Sequence, residues 1–455
     1  MLARNRDSYA DYIFGVPWAG GVLNPVNVRW APQEIAHSLN DCDTKILFFD
    51  PDFGELIPTI RSLAPNLLHV IDVSSSEWQQ LLKQAPTIDD ALRAGDDLAA
   101  IMYTGGTTGG PKGVMLSHRN LVTSALGTIA CADGRTGERF LHAAPLFHAG
   151  ALSGFLMASL CGSTNILLPS FDVLSYLQTL ERTRATELFL VPTMMRLLVD
   201  HARFSEFDVS SVQRIRYGAS PIDETLMDRL LEIFPHAKFS QAYGMTELGP
   251  TATSLDPDDH IGFARTDGRV RSAGRATPVT EVRIVDETDN EVARGKIGEI
   301  VCRGDNVMLG YWGKPSETRE AKRGGWMHTG DLGRMDEHGY VTVVDRLKDM
   351  IITGGENVYS LEVENAIATH PAVGAVAVIG VPDPKWGESV HAVVVLRPGK
   401  TVNPAELQGH VRTSLASYKV PRRFSFVEAL PQSGAGKVLK QTLRRMLAPS
   451  RKSDH

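Results

Sequence analysis

Apolar and polar positions alternate between two regimes along this chain. Short apolar runs, "KILFFD", "LLHVIDV", "LAAIMYT", "TNILLP", "TELFLVPT", "VQRIRYG" and "KFSQAYG", read as buried strands. Between them lie helical patterns such as "VLSYLQTLERTRA" and "DETLMDRLLEIF". Such alternation predicts mostly parallel sheets covered by helices, as far as about Gly244. From about Ser254 to Asp345 the pattern changes. "EVRIVDE", "GEIVCRG" and "YVTVVD" are short strands parted by Gly, Asp and Asn turns, which predicts an antiparallel sheet or a small barrel. A last segment carries "LEVENAIATH", "VGAVAVIGVPD", "VHAVVVLRPG", "PAELQGHVRTSLASY" and "RRFSFVEALP", a small α+β domain of about a hundred residues. The fold class expected is therefore α/β plus α+β. A large N-terminal domain over 1–346 has a small β-barrel-like part, and a small mobile C-terminal domain spans 347–455. "SSSEWQQLLKQAPTIDDALRAGDD" reads as a polar surface connection.

The start is unusual. Tyr9, Tyr12, Ile13 and Val16 fall at helical spacing, and "AGGVLNPVN" reads as a turn into a strand, so no strand precedes the first helix. An unpaired sheet edge would leave Met1 to Gly20 mobile or covered by a partner.

Composition narrows the function. The 455 residues are 43% hydrophobic and 22% charged, with a net charge of −6, and give no sign of a nucleic-acid partner. Cys42, Cys131, Cys161 and Cys302 form no C-x-x-C pair, so neither a disulfide framework nor a structural zinc site is suggested. A reducing, cytoplasmic location is expected. No run reaches membrane-spanning length; peripheral membrane contact stays open.

The most informative stretch is "YTGGTTGGPKG", Tyr103 to Gly113. It follows a strand run and leads towards a helix starting near Ser117. Glycines let backbone N–H groups approach a ligand, and successive N–H groups cradle an anion. Threonine hydroxyls add donors and Lys112 adds charge, so the loop points to phosphate. It is not a Walker A loop. Pro111 stands where Gly is required before the lysine, and Gly113 where Ser or Thr must follow it.

Other motifs are ordinary one by one. Thr246–Glu247 in "SQAYGMTELGP" could cap a helix, and Asp331 in "HTGDLG" could be a turn aspartate. "DRLKDMIITGGENVY" could be a charged hinge between domains. Lys437 in "PQSGAGKVLK" could serve solubility alone.

In this order, across essentially the whole chain, the set resembles the adenylate-forming superfamily of acyl- and aryl-CoA synthetases, adenylation domains and beetle luciferases. "YTGGTTGGPKG", "YGASP", "YGMTE", "TGD", "DRLKDMI" and "GKVLK" carry the resemblance. Gly105 departs from a frequent Ser, and the chain lacks several dozen residues of the usual N-terminal domain. The resemblance implies ATP, Mg²⁺ and coenzyme A as cofactors. Thr104, Gly105, Gly106, Thr107, Thr108, Gly109 and Lys112 would hold the β- and γ-phosphates. Gly218, Ala219 and Ser220 would flank the adenine, with Tyr243 and Gly244. Thr246 would touch the α-phosphate, and Glu247 would hold the metal. Asp331 would accept the ribose hydroxyls, assisted by Arg346. Lys437 would bridge the substrate carboxylate and the α-phosphate. Lys348 would be the hinge of a domain swing that removes Lys437 and brings Gly354 and Gly355 to the pantetheine arm of CoA.

"PLFHAGALSG" resembles the segment lining the family's acyl pocket. His148 is a candidate gate there, or a buried hydrogen-bonded histidine. Ala149, Gly150, Ala151, Ser153 and Gly154 are small and suggest an apolar, roomy wall. The expected activity is an ATP-dependent carboxylic acid–CoA ligase, monomeric or homodimeric. Its substrate would be a medium- or long-chain fatty acid or a hydroxycinnamate such as ferulate. An adenylate-only or carrier-protein ligase, and an inert nucleotide-binding homologue, are the alternatives.

Overall fold

A computed structural model describes residues 1–104, 111–131, 134–220, 222–432 and 438–447. Two compact units emerge. One comprises Met1–Arg283, Val301–Thr329 and Asp336–Val341. The other comprises Ile284–Ile300, Gly330–Met335 and Thr342–His455.

The apolar runs of the first half form a seven-stranded sheet. Its order is Arg275–Ala276, Thr253–Leu255, Lys238–Tyr243, Arg214–Gly218, Glu187–Leu190, Arg139–His142, Thr164–Leu167. The last five are mutually parallel, and the first two close one edge antiparallel. Helices Val173–Thr183 and Glu224–Ile233 supply the crossovers that parallel neighbours require. Asp172 and Asp223 cap them by accepting from Ser175 N–H and Leu226 N–H. Tyr176, Leu177, Leu180, Met227 and Leu230 pack on Leu141, Leu188, Ile215 and Phe239 of the strands. Two ion pairs lie within this sheet region, Arg214 with Glu138 at 2.6 Å and Arg216 with Glu187 at 2.5 Å; each charge is buried with its partner.

A two-stranded parallel sheet, Ile46–Phe49 and His69–Asp72, packs with helices Pro32–Asp41 and Ile57–Leu63 around Ile35, Leu39, Leu47 and Ile60. The first residues belong to this core, which corrects the expectation of a mobile start. Leu2 is fully buried, bridges Phe49 in parallel, and donates its N–H to Phe48 O at 2.8 Å. Helix Asp7–Trp18 buries Tyr9, Tyr12 and Ile13. The turn over residues 19–27 contributes a single bridge, Leu23 to Ala100, rather than a strand. A helix, Ser76–Gln84, stands inside the presumed polar connection, with no buried residue.

A third sheet orders Gly310–Tyr311, Lys112–Ser117 and Leu98–Thr104, all antiparallel. A four-stranded sheet runs Glu281–Val285, Gly298–Arg303, Met327–Met335, Val341–Arg346.

The C-terminal sheet orders Glu356–Val358, Ile351–Thr353, Gly387–Leu396 and Val373–Asp383, with Arg423–Phe426 parallel beside Gly387–Leu396. Strands Val373–Asp383 and Gly387–Leu396 carry long apolar runs because both of their faces are covered there. Val378, Val390, Ala392 and Val394 pack with Val363, Ile367, Leu407 and Val411 on one side. Ala377, Ile379, Val381 and Val393 pack with Leu430 and Leu443 on the other. Among the described residues no helix is long and apolar enough to cross a membrane.

Candidate active site

The glycine-rich stretch does not pass from strand to helix. Strand Leu98–Thr104 returns as strand Lys112–Ser117, with Thr104 opposite Lys112, and only then does helix His118–Cys131 begin. Residues 105–110 therefore join the ends, or feet, of two strands that pair antiparallel. "KGVMLS" escaped notice as a strand because it is short and continues without a break into the helical pattern. Gly113 is needed at the foot, since a Cβ there would lie 2.8 Å from Ile101 and 3.1 Å from the Tyr103 ring. Tyr103 donates to Asp41 Oδ2 at 2.7 Å, and Trp312 Nε1 donates to Asp41 O at 2.8 Å. Gly105, Gly106, Thr107, Thr108 and Gly109 lie outside the described residues, as does Lys437.

Two further predicted segments meet at the carboxyl ends of neighbouring parallel strands, the usual place for ligands in an open α/β sheet. Gly218 ends one strand and registers with Ala242 of the next. A Cβ on Gly218 would sit 2.5 Å from Ala242 O. Ala219 follows at φ 68°, a left-handed conformation that a non-glycine residue adopts at a cost of about 1–3 kcal/mol. Ala219 and Ser220 are exposed. Tyr243 closes the neighbouring strand, and a Cβ on Gly244 would lie 2.0 Å from Pro250 O. The chain then makes a 3-10 turn, Thr246–Leu248.

Glu247 is buried, and one reason is Tyr311, whose hydroxyl donates to Glu247 Oε1 at 2.9 Å. Lys112 Nζ stands 5.0 Å from the centre of the same Tyr311 ring. The hairpin foot and the acidic turn are thus joined through one side chain. The backbone of the turn is held as well. Met308 N–H donates to Glu247 O at 2.9 Å, and Asn306 Nδ2 to Leu248 O and Thr251 O at 2.8 and 3.1 Å. Asn120 Nδ2 donates to Asp305 O and Val307 O, both at 2.8 Å. Tyr311, Asn306 and Asn120 are absent from the sequence-based site. Only the aromatic pair behind a glycine, "GYW", marks the stretch.

His148 precedes helix Ala149–Leu160 at its N-cap, its ring against Phe147 at 4.4 Å. Ala149, Ala151 and Ser153 are buried. Beside Gly150 and Gly154 the space is taken by the rings of Phe189 and Phe140, each 3.7 Å from an added Cβ. At these two positions an added methyl group would make ordinary contact with an aromatic ring.

In the second unit Asp331 is buried on strand Met327–Met335, and Arg346 Nε lies 3.1 Å from its Oδ1. Gly330 just before it takes φ 69°, and donates its N–H to Glu299 Oε1 at 3.0 Å. Lys348 is exposed beyond Arg346. Gly354 and Gly355, at φ 61° and 85°, form the two-residue turn between strands Ile351–Thr353 and Glu356–Val358. Such a hairpin asks for positive φ at both places. A cavity of about 460 Å³ opens beside them, lined among others by Thr353, Gly354, Trp386, Arg412, Tyr418 and Arg422. The Arg422 guanidinium stacks 4.2 Å above Trp386.

Among the described residues no group of three or more His, Cys, Asp or Glu side chains could hold a metal ion. A single buried carboxylate such as Glu247 fits instead an ion that arrives with phosphate oxygens and water as its other ligands.

Residues 1–312 match the family of AMP-binding enzymes, and residues 362–437 match the AMP-binding enzyme C-terminal domain. The chain belongs to the adenylate-forming enzymes. It is 41% identical over 445 residues to a feruloyl-CoA synthase of Amycolatopsis sp, covering 98% of this chain and 87% of that one. It is 34% identical over 448 residues to the fatty acid–[acyl-carrier-protein] ligase ScoC of Streptomyces coeruleorubidus, covering 97% and 85%. Its fold matches the crystal structure of ATP-bound MatB from Rhodopseudomonas palustris, with a TM-score of 0.89, 32% identity, and coverage of 98% and 87%. With the AMP-binding family match and relatives of this kind, the chain is an AMP-forming acid–thiol ligase.

Proposed function

We propose that this chain joins a hydrophobic carboxylic acid to coenzyme A in two steps, with the domain boundary between residues 346 and 347. The observation that carries the ATP half is the linkage of Lys112 to Glu247 through Tyr311. A cation at the foot of an anion-binding loop and an acid for a metal stand together, which is what a metal–triphosphate requires. In the first step a carboxylate oxygen bonds to the α-phosphorus of ATP, and the bond to pyrophosphate breaks. Two anions meet, so positive charge must stand where charge develops. Lys112 supplies it at the phosphates and Lys437 between carboxylate and α-phosphate. Magnesium, when bound, would neutralise phosphate charge, with Glu247 its protein ligand. Thr246 lies beside the α-phosphate. Asp331, held by Arg346, accepts the two ribose hydroxyls, because a carboxylate can take two hydrogen bonds.

In the second step the thiol sulfur bonds to the acyl carbon, the carbon–oxygen bond to AMP breaks, and the thiol proton is lost. The cavity beside Gly354 favours coenzyme A as the acceptor. Arg412 and Arg422 line that cavity, and guanidinium groups suit the phosphates of a nucleotide. A carrier protein's pantetheine arm brings no nucleotide. The likeness to ScoC supports the carrier-protein ligase as the second reading. Likeness to a feruloyl-CoA synthase and to a fatty acid ligase supports a hydroxycinnamate or a fatty acid as the substrate. The test is a panel of both acid classes scored for CoA thioester by mass spectrometry. Thioester with neither class overturns the substrate reading.

A further inference from the structure

Tyr311 is set into the fold more firmly than a loop aromatic needs to be. Strand Gly310–Tyr311 pairs with the outgoing strand of the loop hairpin, Tyr311 opposite Val114 and Gly310 opposite Met115. The Tyr311 N–H donates to Thr318 Oγ1 at 2.9 Å, and the next N–H, of Trp312, to Gly113 O at 2.8 Å. Lys322 Nζ holds Met308 O at 2.8 Å just upstream. The tyrosine is 9% exposed and Glu247 is 6% exposed, so their hydrogen bond is shielded from water.

We propose that Tyr311 is a positioning residue for metal–ATP: its hydroxyl fixes the Glu247 carboxylate while its ring seats the Lys112 ammonium. One rigid side chain then sets the spacing of the two charges that must meet the triphosphate. This rests on the reading of Glu247 as the metal-side carboxylate. It accounts for features that packing alone does not ask for. A phenylalanine would fill the same space, yet a hydroxyl is present and points at the one buried acid of the turn. The ring also has the Lys112 ammonium 5.0 Å from its centre.

The test uses the full chain and isothermal calorimetry of ATP binding, with Mg²⁺ titrated from zero. Y311F keeps the ring and removes the hydroxyl. The apparent Mg²⁺ constant in the presence of ATP should weaken about ten-fold or more, since a hydrogen bond to a charged group is lost. ATP binding without metal should change less than two-fold. Y311L, which also removes the ring, should weaken metal-free ATP several-fold through Lys112. In an E247Q background Y311F should add less than two-fold, because the group it positions is gone. If Y311F lowers the melting temperature, T318A tests the same point with the hydroxyl retained, and should weaken the Mg²⁺ constant in the same direction. Unchanged Mg²⁺ dependence in Y311F and T318A, with E247Q strongly affected, overturns the role of Tyr311 alone. Effects of Y311F and E247Q that multiply also overturn it. An E247Q protein with the parent Mg²⁺ constant overturns the metal reading of Glu247, and the proposal with it.

Discussion

Gly244→Ala gives a sharp test of how tightly the nucleotide side of the site is built. The added Cβ would lie 2.0 Å from Pro250 O and 3.0 Å from Ala252 N, both backbone atoms. A tolerable contact begins near 3.0 Å, so the backbone must open by about 1 Å. Nothing soft can yield, because Tyr243 and Thr253 are paired in the sheet and Ala252 N–H donates to Tyr243 O at 2.9 Å. Overpacking of this kind costs about 1–3 kcal/mol of stability. The shift falls two residues before Thr246 and three before Glu247. A displacement of about 1 Å at a reacting group costs on the order of 10²-fold in rate, roughly 2.7 kcal/mol of barrier. The assay is initial-rate pyrophosphate release against ATP, with thermal melting alongside. Gly409→Ala is the control. It sits in helix Pro404–Arg412 with nothing within 4 Å, and should add about 1 kcal/mol of stability while leaving the rate alone. A Gly244→Ala protein with the parent kcat/KM for ATP would refute the reasoning.

Three other outcomes are expected. His142 and His260 are buried, and burial lowers each to a pKa of about 4 from an ordinary 6.5. Since the unfolded chain takes up these protons first, stability is complete above about pH 6.5. It should fall as pH drops towards 4, by up to about 3 kcal/mol per histidine. His142→Gln should flatten that fall in pH-dependent melting, and an unchanged slope would count against it. Lys437→Ala should lose about 3 kcal/mol or more of adenylation barrier stabilisation yet still make thioester from supplied acyl-AMP; equal loss in both half-reactions would remove the assignment. Lys348→Pro should do the converse, because proline fixes φ and a hinge must change it. Thioester at the parent rate would place the hinge elsewhere.

What could be read in advance followed from local periodicity. Runs such as "TELFLVPT" and "VQRIRYG" are strands because both sheet faces are covered, and they become neighbours as the pattern implies. The hairpin at the glycine loop was not legible, because its partner strand shows itself only through pairing with Leu98–Thr104 and Gly310–Tyr311. Helix Ser76–Gln84 carries Trp78, Leu81 and Leu82 at helical spacing, but this stripe is short and set among polar residues, and none of its residues is fully buried. Leu2 bridging Phe49 is a contact 47 residues away, invisible to local pattern. The same holds for the site. Thr246 and Glu247 stand in a recognisable motif, whereas Tyr311, 64 residues further on, has no local mark of the hydroxyl it gives to Glu247.

The central claim is that adenylation and thioester formation are separate steps on this chain. Its most direct test is pyrophosphate release with ferulate and with a long-chain fatty acid, each with and without coenzyme A, while products are followed by mass spectrometry. The account predicts acid-dependent pyrophosphate and bound acyl-AMP without coenzyme A, and continuous turnover to acyl-CoA and AMP once coenzyme A is added. Pyrophosphate release indifferent to the acid, or acyl-AMP that coenzyme A never consumes, would contradict it.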